Sequence, residues 1–500
     1  MGGDPLTSDL AKIDDLWHAA FNSKGYFVSA QSSEGVANAI AEALLEIADR
    51  VGSAASVATN TGSLNAGSHL FQARFDSSDW KGQLLAFQIN LDGTIKGSPD
   101  WDAGSRVNDQ DWNSGREIIT WNPSIDNPSG GTVEGQGVPF RFPADYNSPD
   151  SLTEINTAQL TSIMTLAPYS LATVDTGEIA VNQDFGGDVI NYLRGESVNE
   201  GIGRGFRNRS SVLGDIVNSD PKFVSVPNSR YPDSIEPTSS YSAFVTANAA
   251  RDGVVYAGAN DGMLHAFAES NGDEILAYVP GVVYDNLWEL ADPLYEHRYF
   301  VDSGPNIVDM FFPSEGASGE WKTVLAGGLG GGGQGIYALD VTDPTQFDES
   351  NAASIALWEF DDGDDADLGY TYGRPQLAKM ANGKWAAIFG NGYNNTVADG
   401  NASSTGHAVL YIVDIETGDL IKKIDTMAGA SGTPNGLATP LLVDDNADLV
   451  VDYIYAGDLL GNLWKFDVDS STVSDWDVPY KSGGVPVPLF TTEAGQPITS

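Results

Sequence analysis

The run Asp444-Asp445-Asn446-Ala447-Asp448-Leu449-Val450-Val451-Asp452 sets oxygen-bearing side chains at offsets 0, 2, 4 and 8: Asp444, Asn446, Asp448 and Asp452. The peptide carbonyl of Val450 falls at offset 6. Calcium takes about six to eight hard oxygen ligands at about 2.3–2.6 Å, and alternate residues of a tight loop converge on one point. The spacing follows the first half of an EF-hand loop, without Gly at the sixth position or Glu at the twelfth. Apolar Leu441, Leu442 and Val443 precede it and Tyr453, Ile454 and Tyr455 follow, so the loop is expected to hang between two strands. The competing reading is a solvated acidic hairpin, because 69 of 500 residues are acidic. Asp467, Asp469, Ser471 and Asp475 repeat the spacing, which shows how cheap it is in such a chain; whether they hold a second ion is open.

Other constellations point to structure. The run from Asp361 to Asp367 loses its alternation at Gly363 or Ala366 and reads as a solvated turn. Gly328, Gly330 and Gly333 satisfy G-x-G-x-x-G, yet IYALDV follows as a strand, so no helix N-terminus is offered to a phosphate. The five histidines are scattered without H-E-x-x-H, and His265 reads as a packed strand residue. Neither G-x-S-x-G nor S-x-x-K stands out, and paired acids occur everywhere. Nothing commends hydrolysis or group transfer, and a non-enzymatic role is expected.

The elements that must position the acidic loop follow from period and repeat. Residues 8–22, 35–51 and 182–196 read as helices by caps and apolar spacing. After Gly67 the pattern becomes short β-branched runs broken by Gly, Asn and Asp. Residues 95–160 are polar and weakly patterned, and are expected as long loops or an insertion, the insertion as a whole extending over about 95–200. Tyr256-Ala257-Gly258 through Phe267 and Tyr455-Ala456-Gly457 through Phe466 both read Y-A-G-x-x-x-G-x-L-x-x-F. Residues 80–87, 324–341 and 385–420 are looser copies. A recurring strand, Gly turn and strand is the inner hairpin of a propeller blade, which a β-sandwich would not repeat. The expected fold is mainly β: a β-propeller over 67–500, with insertions between blades and a helical segment over 1–66.

Composition bounds the partners. The net charge of −44 repels nucleic-acid phosphates and anionic lipid, and attracts divalent cations. Saline adaptation would produce the same excess. The absence of cysteine excludes disulfides, thiolate metal sites and thiol nucleophiles. No apolar run approaches the length of a membrane span, and Met1-Gly2-Gly3-Asp4 lacks the basic and apolar regions of a signal peptide.

Residues 12–30, LGDIVNSDPKFVSVP (213–227), VVYAGANDGMLHAF (254–267), GGGGQGIYALDVTDP (330–344), GKWAAIFGNGYNN (383–395) and 436–467 together resemble the PilY/PilC family. These are type IV pilus biogenesis factors and tip-associated adhesins. The resemblance implies a C-terminal modified propeller, unclosed at GQPITS (495–500) where the family continues into further strands. It also implies calcium in a nine-residue acidic loop, its ligands falling on Asp444, Asn446, Asp448, Val450 (by carbonyl) and Asp452. It further implies minor pilins and the pilus fibre as partners, a location at the cell surface or pilus tip, and calcium balancing extension against retraction and twitching. A host or surface receptor is a further expectation. The family's leader and variable N-terminal region are not seen in this chain, and Arg251-Asp252-Gly253 is not an Arg-Gly-Asp tripeptide. Asp414-Ile415-Glu416-Thr417-Gly418 looks like part of the tryptophan-docking repeat of quinoprotein dehydrogenases. A pyrroloquinoline-quinone enzyme is therefore the alternative, although the cysteine pair many members carry is missing. A generic extracellular propeller scaffold is the third reading.

Overall fold

A computed structural model describes residues 56–59, 68–90, 92, 94–123, 125–126, 132–133, 135–143, 153–164, 179–201, 205–313, 318–398 and 400–499. The chain divides into two compact units, Met1–Ala54 with Asp76–Ser78, and Ala55–Phe75 with Asp79–Ser500. The helices expected at 8–22 and 35–51 lie outside the described residues. No helix among the described residues is long and apolar enough to cross a membrane.

The larger unit is mainly β, and its strands form five successive sheets, the blades of a propeller, each built on antiparallel pairs with one parallel addition in the second and in the fourth. The first holds Ser56–Thr59, His69–Asp76, Lys81–Gln88 and Trp101–Asp102, and the second is built on Lys222–Val224, Val254–Gly258, Leu264–Ala268 and Glu274–Val279. The third is the simplest: Asn306–Phe312, Glu320–Gly328, Gly335–Asp340 and Ala356–Asp361 pair in chain order. The fourth runs Gln376–Met380, Trp385–Gly390, His407–Asp414 and Leu420–Gly429. The fifth contains Leu441–Val443, Tyr453–Gly457, Asn462–Asp467 and Phe490–Thr491.

Hydrophobic cores lie between successive sheets because strand residues alternate faces. Trp385, Ala387 and Phe389 join the core shared with the third sheet, while Ala386 and Ile388 join the core shared with the fifth. Both faces are covered, which explains why 385–390 reads as an unbroken apolar run. In the second sheet, Val254 and Tyr256 face the large core, while Val255 and Ala257 face Phe71 and Leu84 of the first sheet.

The two closest sequence repeats share the same turn features. Gly262 (φ +93°) and Gly461 (φ +82°) occupy the same repeat position, in backbone conformations that L side chains rarely adopt. Each turn is closed by a 2.9 Å backbone bond, Ala259 N–H to Met263 C=O and Asp458 N–H to Asn462 C=O. The copy at 80–87 is different: Lys81–Gln88 is one strand, not a hairpin. Its Gly82 lies within the strand, where Gly214 approaches so closely that an added Cβ would lie 2.0 Å from the Gly214 oxygen.

The look-alike at Asp414–Gly418 turns out to dock a tryptophan between sheets. The Trp358 indole N–H donates to Ile415 C=O at 2.8 Å, and the residue covers Gly418. Trp101 repeats the device from the first sheet to the second, donating to Glu269 C=O at 2.8 Å and covering Gly272.

Within 95–200 the structure has ordered elements that the polar pattern hides. Ile118–Asn122, fully buried, adds to the second sheet parallel to Glu274–Val279, and Gln136–Pro139 pairs beyond it. Ala103–Asp109, Thr157–Met164 and Ile179–Arg194 are helices. The last overlaps the helix expected at 182–196.

Candidate metal centre

The acidic loop hangs between two strands, as its flanking apolar residues imply. Leu441–Val443 pairs with Tyr453–Gly457, Val443 opposite Tyr453, so the ends of the loop are held by one ladder. Val450–Val451 leaves that ladder and pairs parallel with Lys379 and Met380 of the fourth sheet. The loop is thereby tied into two neighbouring blades at once.

Its backbone is unusually tight. Ala447 (φ +61°) and Leu449 (φ +69°) both take the left-handed conformation, without glycine. Leu449 is the sixth residue of the loop, the position at which an EF-hand uses Gly for its sharp turn. Such a conformation costs a non-glycine residue about 1–2 kcal/mol. Local carboxylates hold it. Asp444 accepts from the N–H groups of Asp448 (3.2 Å) and Leu449 (2.8 Å), while Asp448 accepts from Val450 N–H at 2.9 Å. Asp452 accepts from Asp445 N–H at 2.7 Å and from the Asn446 amide at 3.4 Å. Asp444 through Leu449 are exposed, and Val450 and Asp452 are half-buried.

The structure thus brings Asp444, Asn446, Asp448 and Asp452 into one hydrogen-bonded turn. Among the described residues, no three His, Asp or Glu side chains stand together as a preformed metal cage. The donor set is nonetheless hard oxygen throughout, with three carboxylates, one amide and the Val450 carbonyl, which suits calcium and not a soft transition metal. The fit rests on donor chemistry and on the sixth-position turn.

The second acidic spacing is built differently. Asp467 pairs across a bridge with Asp477, Ser470 donates to Asp475 at 3.0 Å, and Asp475 closes a short 3-10 turn. The neighbouring Asp467 charge, with burial and Asp452 adding to it, raises the Asp469 pKa above the ordinary carboxylate value. The 467–469 turn therefore lies beside the first loop and adds to its negative field. The 361–367 run is only partly the solvated turn expected of it. Asp365 and Asp367 both pair with Lys423 at 2.7 Å, and buried Asp367 also accepts from Ser403 and Thr405.

His265 is fully buried between two carboxylates: Nδ1 lies 2.6 Å from Glu274 and Nε2 lies 3.1 Å from Asp261. Arg116 clasps Glu274 from the other side at 2.6 and 2.8 Å. Burial alone would lower the His265 pKa, but Asp261 and Glu274 outweigh it and raise the pKa to about 9. Burial would likewise raise that of Glu274, yet Arg116 and His265 bring it down to about 2. With both ring nitrogens committed to carboxylates, the imidazolium acts as a structural cation.

One feature is absent from the expectations drawn from sequence: a cleft of about 600 Å³ lined from four consecutive blades, by residues that include Asn218, Asp302, Tyr372, Arg374 and Thr439. A signal for it is present in the chain. Pro221, Pro305, Pro375 and Pro440 each stand immediately before the first strand of a blade, at Lys222, Asn306, Gln376 and Leu441. Proline suits a strand start because it lacks an N–H and fixes φ. The residues just before these prolines form much of the cleft.

A family profile described as the PilY1 beta-propeller domain matches residues 213–497. A type IV pilus biogenesis factor PilY1 homolog of Xylella fastidiosa is 35% identical over 97% of this chain and 33% of its own length. Type IV pilus biogenesis factor PilY1 of Pseudomonas aeruginosa strain UCBPP-PA14 is 34% identical over 98% of this chain and 40% of its own. The chain therefore spans less than half the length of these relatives. The crystal structure of the Pseudomonas aeruginosa PilY1 C-terminal domain aligns over 55% of each chain at 37% identity, with a TM-score of 0.44.

Proposed function

The chain belongs to the PilY1 β-propeller family, and on that premise we propose that it is a non-enzymatic, calcium-binding factor of type IV pilus assembly, acting at the cell surface or pilus tip. Minor pilins and the pilus fibre are its partners, and attachment to a host or abiotic surface is its second task. Asp444, Asn446, Asp448, Asp452 and the Val450 carbonyl would hold Ca²⁺. The ion would supply positive charge that keeps three carboxylates together, and no bond-making chemistry.

The observation that carries this reading is the double anchorage of the loop. Its ends belong to the fifth sheet, while Val450–Val451 pairs with the fourth. A change in loop geometry therefore acts on the junction of two blades, which gives an ion a route to bias pilus extension against retraction. Without a cation, like charges on Asp444, Asp448 and Asp452 oppose the same geometry.

The test uses the full-length protein in its native host. Asp452→Ala imitates an empty loop and Asp452→Lys one filled by an ammonium group. The two variants should change surface piliation and twitching in opposite directions. If both behave as wild type, calcium has no regulatory part. If deletion of the whole gene also leaves piliation and adhesion intact, the pilus role is wrong.

A further inference from the structure

The cleft between the blade-leading segments has the composition of a ligand site. Its floor is rigid. Asp302, 3% exposed, accepts from the Asn218 backbone N–H at 3.2 Å and from its amide at 2.6 Å. Arg374 donates through Nε to Gly304 C=O at 3.1 Å and through Nη2 to Asp220 at 2.9 Å. Gly304 makes this possible, because an added Cβ there would lie 2.8 Å from the Arg374 guanidinium. The Arg374 backbone N–H in turn donates to the Thr439 hydroxyl at 3.3 Å, linking the fourth and fifth blades across the cleft.

The wall is aromatic and open. Tyr372 is 51% exposed, and its ring is buttressed by Tyr393 at 5.5 Å between centroids. An exposed, supported ring beside fixed polar groups is a platform looking for an apolar face.

Charge narrows the occupant. An anion would meet the buried Asp302 carboxyl and the field of a chain with net charge −44. A cation would meet the Arg374 guanidinium, and both Asp302 oxygens already accept from Asn218. Burial also raises the Asp302 pKa to about 6, so the site has little spare negative charge at mildly acidic pH. A volume of about 600 Å³ lies within the range of small-ligand pockets and holds one or two sugar rings.

We propose that this cleft binds a neutral saccharide unit, its apolar face on Tyr372 and its hydroxyls on Asn218, Ser303, Arg374, Gln376 and Thr439. The amphoteric lining suits vicinal hydroxyls, which donate to a carbonyl or carboxylate and accept from a guanidinium or amide. The inference rests on neither the calcium loop nor the pilus.

The purified chain is tested by saturation-transfer NMR against methyl glycosides of glucose, galactose, mannose and N-acetylglucosamine, with methyl sialoside as the anionic control. At least one neutral glycoside should bind, and the sialoside should not. Tyr372→Ala should weaken that binding about tenfold while Tyr372→Phe retains it, since only the ring face is used. Tyr372 is exposed, so unchanged melting of both variants separates loss of binding from loss of fold. The proposal is overturned if no neutral glycoside binds, if Tyr372→Ala binds as wild type, or if the sialoside binds equally well.

Discussion

Glu274 and Asp452 are both carboxylates at strand junctions, and their surroundings are opposite. Glu274 is buried and answered on two sides by Arg116 and His265, so its charge is neutralised inside the fold. Asp452 is half-buried in a loop whose other carboxylates are exposed, and its hydrogen-bond donors there are an amide N–H and a side-chain amide. The first arrangement locks the added strand Ile118–Asn122 to its blade. The second gathers negative charge in a strained turn and leaves the compensating charge to solvent or an ion. A closed network serves stability, and an open one can respond to its surroundings.

The largest expected effect breaks the closed network. Glu274→Gln leaves Arg116 and His265 without their shared counter-charge, and removing one partner of a buried pair costs about 3–5 kcal/mol. In urea unfolding, Asp452→Ala without calcium should instead cost about 1 kcal/mol or less, because the hydrogen bonds lost from its half-buried carboxylate are offset by relief of repulsion from Asp444 and Asp448. Equal losses for the two would erase the contrast.

A smaller effect comes from pH. The His265 pKa rises from its ordinary 6.5 to about 9 in the folded chain. Its stabilisation should be complete below about 6.5 and disappear as pH climbs through about 9, because the unfolded chain sheds its proton first. Glu274 acts at the other end: its contribution is present above its ordinary 4.5 and lost as pH falls toward about 2. The urea midpoint should fall between pH 7 and 9 in wild type and much less in His265→Gln. A flat profile in wild type would show that the imidazolium does not anchor this junction.

The smallest effect sharpens the open side. Leu449 holds φ +69° on the surface, so Leu449→Gly should relieve strain and leave stability unchanged or higher by about 1 kcal/mol or less. A loss well beyond 1 kcal/mol would mean that the Leu449 side chain, and not the turn, shapes the loop.

These regions were not equally legible in sequence. The strand-flanked acidic turn could be read because its acidic residues, their spacing and the flanking strands are all local. The paired hairpins were legible because Gly262 and Gly461 are demanded by backbone geometry. The closed network was hidden: Arg116 and Glu274 meet only through a parallel pairing of distant segments, and polar sequence surrounds the five-residue strand that carries it. The hairpin expected at 80–87 failed because Gly82 serves a close approach by Gly214 instead of a turn. The cleft went unseen because each blade contributes only a few residues before a proline, and their convergence is a property of the assembled sheets.

The central claim, that the open network is a calcium site, is tested most directly by isothermal titration of Ca²⁺ into the purified chain and its Asp452→Ala variant. Wild type should bind one ion with a dissociation constant of about 10⁻⁶–10⁻³ M, the range of sensors and extracellular modules. At 100 times that constant it should gain about 2.7 kcal/mol of stability. Asp452→Ala should show neither the heat nor the gain. Equal binding by the two proteins, or no binding by wild type, would contradict the assignment.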